Sequence, residues 1–368
     1  MTDPRIETLA RNLLGYSLKL QPGEKVLFEG EVGCEPLVRG LIAETYRLGA
    51  VPYFELTDPL LRRAWLLGAT REQMDLKFAG DIRRMESMDA RLYILAGRNA
   101  TEMADVPSEI MRTWSLARQP YLDAFLKKKW CLLRFPTPSA AQAAGMSTEA
   151  FEDFCFRVSC LDYARMDAAM DPLVDLMERT DRVHILGPGT DLFFSIKGMP
   201  AVKCAGLLNV PDGEVFTAPV RDSVKGILAY NTPSLEDGTT FQNVCFTFKD
   251  GRIVEATGTP PDKLVALLDT DEGARYLGEF ALGVNPYVTF PMRDTLYDEK
   301  ICGSLHLTPG NAYDEADNGN RSSVHWDMVL IQTPEWGGGE IWFDDVLVRK
   351  DGRFVLPALE GLNPENLA

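Results

Sequence analysis

Apolar positions over the first 180 residues recur with two alternating periods. Ile6, Leu9, Leu13, Leu14 and Leu20 fall at helical spacing, and Pro22-Gly23 stops the run. The apolar block 25–29 then has the composition of a buried strand. Residues 35–48 return to helical spacing up to Gly49, and 51–56 reads as a second strand. Further strands are expected at 91–96 and 130–135, with a largely helical 107–128 between them. Residues 148–179 read as mostly helix, capped by Ser147 or Thr148 and broken or kinked near Pro172. A strand at 182–186 follows. Helices and strands alternating at this spacing predict a parallel sheet covered by helices.

From residue 187 strands dominate: 191–196, 241–249, 252–256, 341–343, 346–349 and 354–356. Asp250-Gly251 and Asp351-Gly352 read as hairpin turns. One helix is expected at 261–269 and a shorter one at 271–277. The expected fold class is therefore α/β. A Rossmann-like parallel α/β domain spans 1–186, and a β-rich α+β domain spans 187–368. Two glycine pairs invite a nucleotide reading and fail it. Gly30-Glu-Val-Gly33 lacks a third glycine and is flanked by acids, and Gly187-Pro188-Gly189 has proline where an N–H donor is needed. Both read as tight strand-to-helix turns.

Charge narrows the partners. A formal net charge of −16 over 368 residues disfavours nucleic acid and anionic membrane surfaces. No window approaches the ~18 uncharged apolar residues of a membrane span. The N-terminus carries early acidic residues and no secretory signal. Seven cysteines are scattered without a C-x-x-C pair, as expected for thiols in a reducing cytosol.

The chemistry concentrates between 279 and 327. The chain has three histidines, and two of them, His306 and His325, lie in this stretch beside carboxylates. Imidazole and carboxylate are ligands for divalent metals. Residues 322–331 have strand composition, which would aim His325 and Asp327 at one point. A structural His–Asp hydrogen bond explains that pair equally well. His306, in a second strand-like segment, favours a shared site. Glu214 and Glu279 have apolar flanks that imply burial, and glutamates from separate strands could bridge two metals. Glu299 is a candidate general base, and Tyr313 a candidate metal ligand or oxyanion donor. His184 reads as a packed core histidine. His306, His325 and Asp327 also satisfy the two-histidine, one-carboxylate pattern of mononuclear Fe(II) oxygenases.

Several segments together resemble one family. They are Leu13-Leu-Gly-Tyr-Ser-Leu-Lys-Leu-Gln-Pro-Gly-Glu-Lys-Val26, Pro211-Asp-Gly-Glu-Val-Phe-Thr-Ala-Pro219, Gly278-Glu-Phe-Ala-Leu-Gly283, Asp298-Glu-Lys300, His306-x6-Tyr313 and His325-Trp-Asp327. The set is similar to the aminopeptidase T / aminopeptidase S family of metallopeptidases, nearly end to end and in order. The resemblance implies a cytoplasmic homodimer that hydrolyses N-terminal residues from peptides, using metal-activated water at a dinuclear site. Two divalent ions per chain are implied, cobalt or zinc first and manganese or magnesium next. Glu214, Glu279, His306, His325 and Asp327 would be the ligands, with Tyr313 beside them and Glu279 or Glu299 as proton carrier. The chain departs from the family where Lys-Ile-Cys-Gly-Ser-Leu separates Glu299 from His306, a longer spacing that leaves the role of Glu299 open. The alternative is a ring-cleaving Fe(II) dioxygenase of similar fold.

Overall fold

The computed structural model describes residues 3–236 and 238–368. The chain divides into two compact units. One is Met1–Cys160 with Gly206–Pro211, and the other is Leu161–Ala205 with Asp212–Ala368. The fold is mixed α/β, with one parallel sheet and two antiparallel sheets.

The first unit holds the parallel sheet. Its order is Val51–Thr57, Lys25–Glu31, Ala90–Leu95, Lys129–Arg134 and Asn209–Val210. The helix Glu35–Arg47 links the first two strands in the chain. The first helical run is an α-helix, Pro4–Arg11, continued by a π-helical turn, Asn12–Ser17. Two helices, Pro59–Leu66 and Arg71–Glu86, were not anticipated. Their starts are nevertheless written in the chain. Asp58 accepts the Leu60 N–H ahead of Pro59, and Thr70 with Gln73 forms a reciprocal capping box. Leu27, Met74, Phe78, Met85 and Tyr121 pack into a shared core.

The run 148–179 is two helices, Thr148–Ser159 and Tyr163–Arg179. Ser147 caps the first. The break lies at 160–162, where Asp162 accepts the Arg165 N–H at 3.0 Å and starts a new helix. Pro172 lies inside the second helix instead of ending it.

The second unit holds both antiparallel sheets. The larger runs Ser234–Glu236, Thr239–Lys249, Lys225–Ala229, Thr190–Ser195, Arg182–Gly187, Glu340–Phe343, Val346–Lys350 and Arg353–Phe354, with Arg252–Thr259 also on Thr239–Lys249. Arg182–Gly187 pairs antiparallel with Thr190–Ser195. Pro188-Gly189 is thus a hairpin turn, not a strand-to-helix turn. Asp250-Gly251 and Asp351-Gly352 have positive φ at both residues, the backbone that two-residue hairpins require. The short helix expected at 271–277 is only the 3-10 turn Gly273–Arg275. His184 is half-buried, with Nε2 2.8 Å from Asp191 and its ring stacked on Phe193. Val183 and Ile185 take the core face of that strand, so His184 is not a core residue.

The smaller sheet carries the chemistry. Its order is Val329–Ile331, Ser304–Pro309, Leu277–Gly283, Glu214–Thr217 and Val202–Cys204. The three central strands are buried at every position. The strand expected over 322–331 exists only at Val329–Ile331. The segment before it keeps scattered backbone bonds, Asn311 N–H to the Val324 carbonyl, Trp326 N–H to the Pro309 carbonyl and Leu307 N–H to the Met328 carbonyl, and is held further by side chains. Asp271 accepts the Ser323 N–H and both the Ser322 and Ser323 hydroxyls. The His325 backbone forms an isolated bridge with Gly310. Gly310 permits this approach: its φ is +112°, and a Cβ there would stand 2.0 Å from the Val324 carbonyl oxygen.

Candidate metal centre

Strand register brings the first three residues together. Gly283 pairs with Glu214, Ala281 with His306, and Glu279 with Thr308. His306 Nε2 lies 3.2 Å from Glu279 Oε1 and 3.6 Å from Glu214 Oε2. All three side chains are buried. Gly213, just before Glu214, has φ +138° and leaves only 3.0 Å between a hypothetical Cβ and Asn285. The turn into this strand therefore requires glycine.

His325 and Asp327 reach the other oxygen of Glu279. His325 Nε2 is 3.3 Å from Glu279 Oε2 and 3.3 Å from Asp327 Oδ1. Thr308 donates its hydroxyl to Asp327 Oδ1 at 2.6 Å. His325 Nδ1 donates to the Asn311 carbonyl at 2.8 Å. A backbone carbonyl only accepts, so this bond fixes the proton on Nδ1 of the neutral ring. Two groups result, Glu214–Glu279–His306 and Glu279–His325–Asp327, each with its ligand atoms within 4.8 Å of one another. Glu279 belongs to both. The two-residue convergence expected of a strand is achieved by an irregular segment.

Glu299 and Tyr313 stand at the edges. Glu299 caps the short helix Thr295–Asp298, and its Oε2 accepts from Lys300 Nζ at 2.6 Å. Tyr313 is 45% exposed, with its ring 4.5 Å from that of His325 and edge-on to Phe216. Sequence reasoning missed Lys300, Asp212 and Thr308. Lys300 is 1% exposed and also donates to Glu214 Oε1 at 2.6 Å. Asp212 Oδ1 is 3.8 Å from the same ammonium. Lys300 was visible only as the third letter of Asp298-Glu-Lys300, where an acid–acid–base triplet resembles a solvated turn.

The electrostatics follow from burying acids and imidazoles together. Burial alone would lower His306, but the Glu279 hydrogen bond and the charge of Glu214 push it up to about 9. Burial also opposes protonation of His325, and the charge of Asp327 outweighs it, raising the ring to about 11. Burial raises Glu279, yet the two imidazoles hold it below its ordinary value. Asp327, likewise pushed up by burial, is held far below the carboxylate range by His325. Glu299 moves the other way. Burial lifts it well above its ordinary value, Lys300 pulls it down, and the charges of Asp327 and Glu214 lift it again.

The donor set fits a divalent ion. His325 Nε2 and Glu214 Oε2 are buried without a hydrogen bond. In the neutral ring, the Nε2 lone pair faces two carboxylate oxygens at 3.3 Å. Converging lone pairs in a buried site are costly unless a cation lies among them. Imidazole and carboxylate together suit zinc and related ions.

A family model described as thermophilic metalloprotease (M29) matches residues 2–354. The chain belongs to this family. Aminopeptidase T of Thermus thermophilus is 28% identical, covering 88% of this chain and 92% of that protein. Aminopeptidase 2 of Geobacillus stearothermophilus is 26% identical, covering 95% of each. The solved structure of wild-type AmpT from Thermus thermophilus matches with a TM-score of 0.82 at 26% identity, covering 96% of this chain and 99% of that one. Membership makes the chain a metal-dependent peptidase. The ring-cleaving dioxygenase alternative draws no support from these relatives. Among the described residues, no helix is long and apolar enough to cross a membrane.

Proposed function

We propose that the chain is an aminopeptidase that removes N-terminal residues from peptides at a pair of divalent ions. The observation that carries this reading is Glu279, whose two carboxylate oxygens face two different histidine–carboxylate groups. Glu214, Glu279 and His306 would hold one ion, and Glu279, His325 and Asp327 the other. Cobalt or zinc suits this nitrogen and oxygen set, with manganese or magnesium next. When bound, such a pair acidifies a water and polarises the scissile carbonyl.

The protein's own side chains supply the rest. Glu299, whose carboxyl burial lifts well above its ordinary value, is the candidate to pass a proton to the leaving amine. Glu279, held in the ionised form, is the poorer proton carrier of the two. Burial and the neighbouring charges of Asp327 and Glu279 keep the Tyr313 phenol protonated, so it can donate to the carbonyl oxygen as charge develops. The carboxylate-rich centre favours the cationic α-amine of a peptide, which supports exopeptidase action. The resemblance extends the proposal to a cytoplasmic homodimer. The parallel sheet of the first unit supports its reading as Rossmann-like, and we keep two domains, the second catalytic; in place of the expected division into 1–186 and 187–368, Leu161–Ala205 groups with the second and Gly206–Pro211 with the first.

The test is hydrolysis of a leucine-led peptide panel by metal-stripped protein as cobalt is titrated in. Release of the first residue that saturates near two ions per chain supports the proposal. Absence of hydrolysis at every occupancy would refute it.

A further inference from the structure

The two proposed ion positions are built differently. We infer that Lys300 makes them unequal: the position at Glu279, His325 and Asp327 fills first, and the position at Glu214, Glu279 and His306 binds its ion at least about tenfold more weakly. The inference rests on the two-ion reading above.

Lys300 Nζ lies 2.6 Å from Glu214 Oε1, 2.6 Å from Glu299 Oε2 and 3.8 Å from Asp212 Oδ1. Its ammonium is thus the cation of a further acidic cluster, formed by Asp212, Glu214 and Glu299. The mount is rigid. The Lys300 N–H donates to the Tyr297 carbonyl at 3.0 Å, and the Lys300 carbonyl accepts from the Asn285 N–H at 3.0 Å. The Asn285 amide in turn holds the Asp212 carbonyl at 2.7 Å. With 1% of Lys300 exposed, the charge has no path to solvent.

An ion on Glu214 therefore finds one carboxylate oxygen already taken and a fixed positive charge beside it. In a buried site this repulsion is screened less than at the surface. Among the described residues, Glu279 pairs with His306 and His325, and Asp327 with His325. A second asymmetry acts in the same direction. His325 is oriented by the Asn311 carbonyl, and Asp327 by the Thr308 hydroxyl. His306 Nδ1 is buried without a hydrogen-bond partner. A ligating imidazole whose second nitrogen is held is the better ligand.

Metal-stripped wild-type protein, titrated with manganese by calorimetry and followed by electron paramagnetic resonance, tests this. The expected result is two binding steps at least about tenfold apart, the change that about 1.4 kcal/mol gives. An isolated-ion spectrum appears at one equivalent, and spin coupling only beyond it. Lys300→Met should tighten the weaker step about tenfold or more, while Lys300→Arg keeps the separation. Equal steps in wild type, or spin coupling from the first equivalent, would overturn the inference, as would Lys300→Met leaving the weaker step unchanged. If Lys300→Met does not fold, equal steps in wild type still overturn the inference, and Lys300→Gln serves as the charge-removing variant. Equal steps with full peptidase activity would remove the role of Lys300 and leave the aminopeptidase standing. Absence of hydrolysis at every occupancy would instead count against the aminopeptidase.

Discussion

Metal-stripped protein at pH 7 should release close to two protons per chain as it takes up ions. In the metal-free chain the cation among the converging lone pairs is a proton. His306 is raised to about 9 and His325 to about 11, so at pH 7 both rings are charged. An ion needs each Nε2 bare. Each proton must leave before an ion can take its place, which opposes ion uptake at neutral pH. Affinity for each ion should therefore rise about tenfold per pH unit between 6 and 8. The same shifts govern stability without metal. Groups with raised folded pKa values stabilise fully below about 6.5, and that contribution is lost as pH rises through about 9 and then about 11. Calorimetry in two buffers of equal pH and different ionisation enthalpy reads the proton count. Release of less than about half a proton, or affinity that stays flat from pH 6 to 8, would refute the reasoning.

Three substitutions probe the scaffold. Thr308→Val removes a buried hydroxyl that donates to Asp327 at 2.6 Å, and should cost about 1.5–3 kcal/mol in chemical denaturation while weakening ion binding. Gly310→Ala places a Cβ 2.0 Å from the Val324 carbonyl at φ +112°. It should destabilise by more than about 2 kcal/mol and reduce ion affinity, since the displaced segment carries His325. Asp271 is raised by burial, but the Ser323 N–H and the Ser322 and Ser323 hydroxyls bring it down to about 2. Its stabilisation is present above about pH 4 and lost as pH falls through about 2. Allowing for solvent screening, Asp271→Asn should cost about 1 kcal/mol at pH 7, with the gap to wild type closing in melts near pH 2.

Regular periodicity was legible in the chain, and irregular support was not. Four of the five strands of the parallel sheet and the two Asp-Gly hairpins were readable because apolar alternation and turn chemistry are local; the short Asn209–Val210 was not. Direction of pairing was not, and Arg182–Gly187 therefore follows a parallel pattern in the sequence and pairs antiparallel in the structure. The five histidine and carboxylate residues stood out because imidazole is rare here and polar residues in apolar runs need partners. The segment carrying His325 looked like strand by composition. Its path is set by a few irregular backbone bonds, by Asp271, more than fifty residues away, and by a glycine that tolerates close approach. Lys300 was obscured because a lysine next to two acids looks solvated. Only the tertiary approach of Glu214, 86 residues earlier, buries it.

Anomalous diffraction from crystals of the cobalt-loaded protein tests the central claim most directly. The account predicts two peaks, one on each side of the Glu279 carboxylate. One should lie against His325 and Asp327, and the other, weaker at limiting cobalt, against Glu214 and His306. A single peak at full loading, or peaks that leave Glu279 uncoordinated, would contradict it.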